Sequence, residues 1–143
     1  MKFALFTLVL LTGCATLPTV PVRTSIPGHF GLTNRSSTDA QLIVSSSPAG
    51  PIVPGNNART FDLDVPTSID INVNIGNGYG NVSTSGNTNQ VSIVVAVQNK
   101  STGQITRSTT CQAGPRVMTN VTYTYSVDKS GNVAEWLDCQ STQ

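Results

Sequence analysis

Residues 68–75, SIDINVNI, place Ile69, Ile71, Val73 and Ile75 on one side of an extended backbone and Asp70, Asn72 and Asn74 on the other. Side chains of a strand leave its two faces in turn, so a period of two predicts a strand with one covered face and one wet face. The same period runs through 60–65, where Phe61, Leu63 and Val65 alternate with Thr60, Asp62 and Asp64. It returns in 117–127, where Val117, Thr119, Val121, Tyr123, Tyr125 and Val127 share a face. The segment VSIVVAV, 91–97, departs from it, because Val94 and Ala96 make the second face apolar as well. That pattern predicts a central strand covered on both sides. Weaker strand signals lie near 29–34, 40–45, 103–111 and 132–139.

Turn chemistry separates these segments. NKSTG at 99–103 and DKSG at 128–131 read as hairpin turns, each ending on a glycine that can take a left-handed conformation. Two connections are longer: SSSPAGPIVPGNN at 45–57 and GNGYGNVSTSGNTNQ at 76–90. No window of ten or more residues carries a helical period, and no internal repeat is present. About eight short strands between turn signals predict an all-β fold, a small antiparallel sandwich of Greek-key, immunoglobulin-like general form. The Cys–Trp–Cys order of a true immunoglobulin domain is absent, since Trp136 stands only three residues before Cys139. Fold analogy therefore brings no function with it.

A chain of 143 residues is long enough for one such domain and too short for two. Charged residues make up 10% of it, against about a quarter in ordinary globular chains. Ser, Thr, Asn, Gln and Gly fill the polar positions instead, as suits an exported β domain. Eight Lys and Arg balance seven Asp and Glu, and Arg23, Arg35, Arg59, Lys100, Arg107, Arg116 and Lys129 are scattered singly. This argues against nucleic acid as a partner, and against adhesion to an anionic membrane face through a basic cluster.

The amino terminus has a different character. Lys2 precedes an apolar run, Phe3 to Leu11, broken only by Thr7. Its length suits the core of a signal peptide, about 7–15 residues, and falls short of the ~18 needed to span a bilayer as a helix. Directly after it, Leu11-Thr12-Gly13-Cys14 resembles the lipobox of bacterial lipoproteins. The resemblance covers only this short segment. It implies removal of residues 1–13, attachment of a diacylglycerol to the Cys14 sulfur and acylation of the new amino terminus. Two or three acyl chains, at about 0.8 kcal/mol per buried methylene, give an anchor that a single chain does not. Ala15 in the following position resembles the sorting signal for the outer membrane of Gram-negative bacteria. Residues 14–28, with three prolines in TLPTVPVRTSIPG, then read as an extended tether reaching up to about 40 Å from the membrane. The β domain is expected from 29 to 143.

With Cys14 acylated, Cys111 and Cys139 remain, and in an oxidising compartment they are expected to pair. They lie 28 positions apart, and closing that loop stabilises a fold by about 3–4 kcal/mol in the chain-entropy description. Neither belongs to a CxxC motif.

Candidate chemistry is sparse. The one histidine, His29, sits where tether and domain meet, and no Gly-x-Ser-x-Gly elbow accompanies it. No catalytic residue and no cofactor is expected. Asp62, Asp64 and Asp70 lie on wet strand faces, where three carboxylates can gather a cation but are more often solvated, so no metal site is expected. In GNGYGN, Asn77, Tyr79 and Asn81 form a candidate binding loop, because a tyrosine between small residues offers apolar area with a polar tip. The plainer reading is a hairpin connection. Asn34, Asn81, Asn99 and Asn120 begin Asn-x-Ser/Thr sequons, which a bacterial lipoprotein does not use for secretory glycosylation.

The expectation is a non-enzymatic lipoprotein anchored in the outer membrane, facing the periplasm or the cell surface. It would bind another cell-envelope protein, with edge strands able to recruit a partner strand. The alternative is a glycan- or peptidoglycan-binding module, or an inhibitor of a cell-wall hydrolase. That reading expects an aromatic cluster of Tyr79 with Trp136.

Overall fold

The structure, a computed structural model, describes residues 20–45, 47–76, 79–85 and 90–143. Their strands are β1 (Val20–Asn34), β2 (Ala40–Val44), β3 (Ile52–Val53), β4 (Asn57–Gly76), β5 (Tyr79–Ser85), β6 (Val91–Asn99), β7 (Thr109–Ala113), β8 (Met118–Val127) and β9 (Val133–Thr142). They form two sheets, one of five strands in the order β5-β4-β1-β8-β9 and one of four in the order β3-β2-β6-β7. All pairings are antiparallel except β1 with β8, which runs parallel from His29↔Met118 to Asn34↔Tyr123. The all-β, two-sheet architecture is the one the alternation predicts. Among the described residues no helix is long and apolar enough to cross a membrane.

The core fills the space between the sheets. Phe30, Leu32, Val65, Val121 and Tyr123 of the larger sheet meet Leu42, Val44, Val53, Ile93, Val95 and Val97 of the smaller one. Each large side chain so buried contributes about 1.5–3 kcal/mol. Along β8 and the residue before it the predicted face is the buried one, with Val117, Thr119, Val121 and Tyr123 inside and Asn120 outside. The strand then runs beyond the cover of the second sheet, so Tyr125 is half-buried and Val127 exposed.

Four expectations change. First, β6 is internal in its sheet, between β2 and β7, but only one of its faces is covered: Val94 is 43% exposed. In a two-layer sandwich no element lies outside the sheet, and the valines on that face reflect strand preference rather than a second core. Second, Val20 to Gly28, read as part of the tether, form the first half of β1, paired with β4 from Val20↔Ile71 to Gly28↔Leu63. Pro21 and Pro27 are tolerated because β8 pairs only with residues 29–34, leaving this half of β1 with a free side. Third, 76–90 is not all connection, since Tyr79–Ser85 forms β5 in register with Asp70–Gly76. Fourth, in 103–111 only Thr109–Cys111 is strand, continuing to Ala113.

Both turn readings match the backbone. Gly103 has φ +73° and Gly131 φ +84°, left-handed values that glycine adopts without steric cost. Cys111 on β7 and Cys139 on β9 are joined in a disulfide with Cα atoms 6.1 Å apart, which ties an edge strand of one sheet to an edge strand of the other.

Candidate binding surface at the β9 edge

β9 is the outermost strand of the larger sheet on the disulfide side. Its hairpin with β8 begins with the Asp128 N–H donating to the Asn132 carbonyl at 3.0 Å. Antiparallel partners alternate between bonded and non-bonded pairs, so the register Val127↔Val133 to Met118↔Thr142 settles where each peptide group points. The main-chain groups of Ala134, Trp136, Asp138 and Gln140 face β8. Those of Val133, Glu135, Leu137 and Cys139 face the open edge. The far side of β8 agrees with this parity, since the Tyr123 carbonyl accepts from the Arg35 N–H at 2.8 Å, away from β9.

The two ends of this edge differ. Near the carboxyl end the disulfide closes it, and the Ser141 hydroxyl contacts both the N–H and the carbonyl of Gln112, at 3.1 and 3.0 Å. Toward the hairpin the sheets part, leaving a cleft of about 620 Å³ between residues 106–109 and Val133–Leu137. Thr106 fixes the far wall: its N–H donates to the Val97 carbonyl and its hydroxyl accepts from the Val97 N–H at 2.9 Å. Of the residues lining this mouth Val133 is 58% and Trp136 69% exposed; next to them in the chain and in register, Ile105 precedes Thr106 and Val127 pairs with Val133, and both are more than half exposed.

The cleft ends on a polar bridge between the sheets. Asn99, at the end of β6, donates to the Tyr123 hydroxyl at 3.2 Å, and that hydroxyl donates to Glu135 at 3.1 Å. Burial is the largest cause that pushes the Tyr123 pKa up, to about 12, and the Glu135 carboxylate adds to it. The phenol therefore keeps its proton and remains a donor to Glu135.

Among the residues singled out from sequence, Cys14 and Asn77 lie outside the described residues. Tyr79 and Asn81 belong to β5, the opposite edge of the sheet, with β4, β1 and β8 between them and Trp136 on β9. Strand order thus puts Tyr79 and Trp136 on opposite edge strands of the sheet, not on neighbouring ones as the expected cluster would need. Asp62, Asp64 and Asp70 share one strand, β4, rather than converging from successive strands. Among the described residues no three His, Cys, Asp or Glu side chains are grouped to hold a metal ion.

His29 contacts Asp62 at 2.6 Å between Nδ1 and Oδ1, an arrangement that follows from the register His29↔Asp62. The Asp62 hydrogen bond is the largest influence on His29 and raises its pKa, with the Pro115 carbonyl adding to the effect. The pair lies in an open hollow with Phe61 and Met118. Two sequon asparagines prove structural. Asn34 is buried and donates to the carbonyls of Thr38, Val53 and Pro54, while its Oδ1 accepts from Ser36. Asn99, also buried, caps the following turn by accepting from the N–H groups of Ser101 and Thr102.

The edge character of β9 was not visible in GNVAEWLDCQ, where apolar residues at 133, 134, 136 and 137 break the alternation. A strand half outside the sandwich has no strict inside and outside to encode. No protein-family model matches this chain, and no curated protein or solved structure matches it.

Proposed function

We propose that this chain is a lipoprotein of the bacterial outer membrane, acylated at Cys14, whose domain is a non-enzymatic binding module. It takes an extended segment of another cell-envelope protein as an added strand along β9. The observation that carries this reading is the free half of β9. Val133, Glu135 and Leu137 direct their peptide groups toward an open cleft, and exposed Val133 and Trp136 line it, with exposed Ile105 and Val127 next to its lining. Strand addition draws affinity from main-chain hydrogen bonds and specificity from flanking side chains. An exposed edge with apolar neighbours is otherwise an aggregation hazard, which a resident partner removes. The His29–Asp62 contact has the orientation a catalytic histidine would need, and what supports a non-catalytic role is that Phe30, Thr60, Phe61 and Met118 line the rest of the hollow around it, with no serine or cysteine among them.

Two measurements test the two parts. The intact mass of protein extracted from its host membranes should correspond to a chain beginning at Cys14 with a diacylglycerol and an acyl chain added. An unmodified chain cut elsewhere contradicts the anchor. For the binding part, Val133→Pro removes one edge-facing N–H without touching the β8 ladder. It should weaken partner binding about tenfold, corresponding to about 1.4 kcal/mol. Undiminished binding contradicts strand addition.

A further inference from the structure

The outward face of β8 and β9 carries a second depression, which shares Trp136 with the cleft at the edge and has no other lining residue in common with it. Even-numbered residues of both strands leave the sandwich here, and the register places Thr124 opposite Trp136, Thr122 opposite Asp138 and Asn120 opposite Gln140. Arg35, held beside them by its N–H to the Tyr123 carbonyl, closes one side. Together they line a hollow of about 380 Å³, at the lower end of the ~300–1,000 Å³ range of small-ligand sites.

The polar groups of this hollow are largely unspent. The Arg35 guanidinium, the Asn120 amide, the Thr122 and Thr124 hydroxyls and the Trp136 indole N–H make no hydrogen bond within the described residues. The side-chain contact inside it joins Gln140 Nε2 to Asp138 Oδ2 at 3.2 Å. Elsewhere in the domain comparable amides are fully engaged, as Asn34 and Asn99 are.

We infer that this hollow binds a neutral pyranose unit of a glycan, with one sugar face against Trp136 and its hydroxyls bonded to Asp138, Asn120, Thr122 and Arg35. The chemistry selects this ligand class. Sugar hydroxyls both donate and accept, and so do the amides and threonine hydroxyls that line the floor. A pyranose ring has a C–H face that lies flat on an indole, and Trp136 is 69% exposed, its N–H making no hydrogen bond among the described residues. Arg35 and Asp138 balance one another, so the site selects neither a phosphate nor a cation. The inference does not rest on the lipid anchor or on strand addition, since it uses the side chains of the sheet face and not the main chain of its edge.

Trp136 is the only tryptophan in the chain and lines both the hollow and the edge cleft, so its emission reports binding at either, and variants confined to one of them separate the two. The full chain is titrated with an N-acetylglucosamine tetramer, which carries the chemistry of a peptidoglycan backbone, and with cellotetraose, which lacks the acetamido groups. A saturable emission change with either sugar is expected, and which sugar acts identifies the glycan source. In Asn120→Ala/Asp138→Ala, which leaves the reporter in place, the apparent affinity should fall at least about tenfold with thermal unfolding unchanged. If that variant does not fold, Thr122→Val gives the same comparison with one hydroxyl removed and should weaken binding severalfold. No saturable change with either sugar up to about 10 mM, ten times the dissociation constant of a weak millimolar ligand, overturns the inference. An emission change undiminished in the folded variants overturns it as well. Val133→Pro should leave sugar binding intact, so failure of strand addition and failure of this site are distinguishable.

Discussion

The Tyr123 hydroxyl donates to Glu135, the single glutamate of the chain, at 3.1 Å, and accepts from Asn99 at 3.2 Å. One phenol thus connects β6 of the smaller sheet to β8 and β9 of the larger. Tyr123→Phe keeps the buried ring but leaves the Asn99 amide and the Glu135 carboxylate without this partner. Loss of such a bond with a buried donor left unsatisfied costs about 1–3 kcal/mol. Urea unfolding should show a lower midpoint of that size with an unchanged slope.

The disulfide gives a larger effect. Cys111 and Cys139 close a loop with a sequence separation of 28, and the double serine variant should lose about 3–4 kcal/mol. Its amide exchange should rise first in β9, which is an edge strand with mostly exposed side chains. Uniform loss of protection across β2 and β6 would show that the bond holds the whole sandwich rather than its edge.

The His29–Asp62 contact makes stability depend on pH. Because the folded-state pKa of His29 is raised above 6.5, its contribution is fully present below that value. It is lost as pH rises through the raised value. Thermal midpoints should therefore fall on going from pH 6 toward pH 8 in the native chain, and His29→Gln should flatten that slope. An NMR titration of the imidazole gives the pKa directly.

The parity of β9 yields a test independent of any partner. Ala134 directs its N–H to β8 and Val133 directs its own to the open edge. Ala134→Pro should then cost about 1–3 kcal/mol through a broken ladder bond, while Val133→Pro should cost much less. Equal losses in the two variants would contradict the assigned register.

How far the sequence reveals this molecule depends on whether a residue's environment repeats along the chain. The alternation of Val117, Thr119, Val121 and Tyr123 predicts the buried face of β8, because that strand has one wet and one dry side. The same logic fails at Val94, where strand preference imitates burial, and at Val20–Gly28, where prolines imitate a linker while the chain pairs on one side only. The disulfide pair follows from residue type and number. The candidate surface does not, because the openness of β9 and the distance of Tyr79 from Trp136 are consequences of strand order, which no local pattern records. Buried Asn34 and Asn99 carry the polar residues' ordinary sequence signature of turns, and only their long-range partners distinguish them.

The most direct measurement is photo-crosslinking in the living host from a probe at position 105, which borders the mouth of the β9 cleft, compared with a probe at position 94 on the outer face of the other sheet. Strand addition at β9 predicts one envelope protein captured from position 105 through a single extended segment, absent from position 94 and lost in the Val133→Pro background. Equal capture from both positions, or capture that survives Val133→Pro, would contradict binding by strand addition at β9.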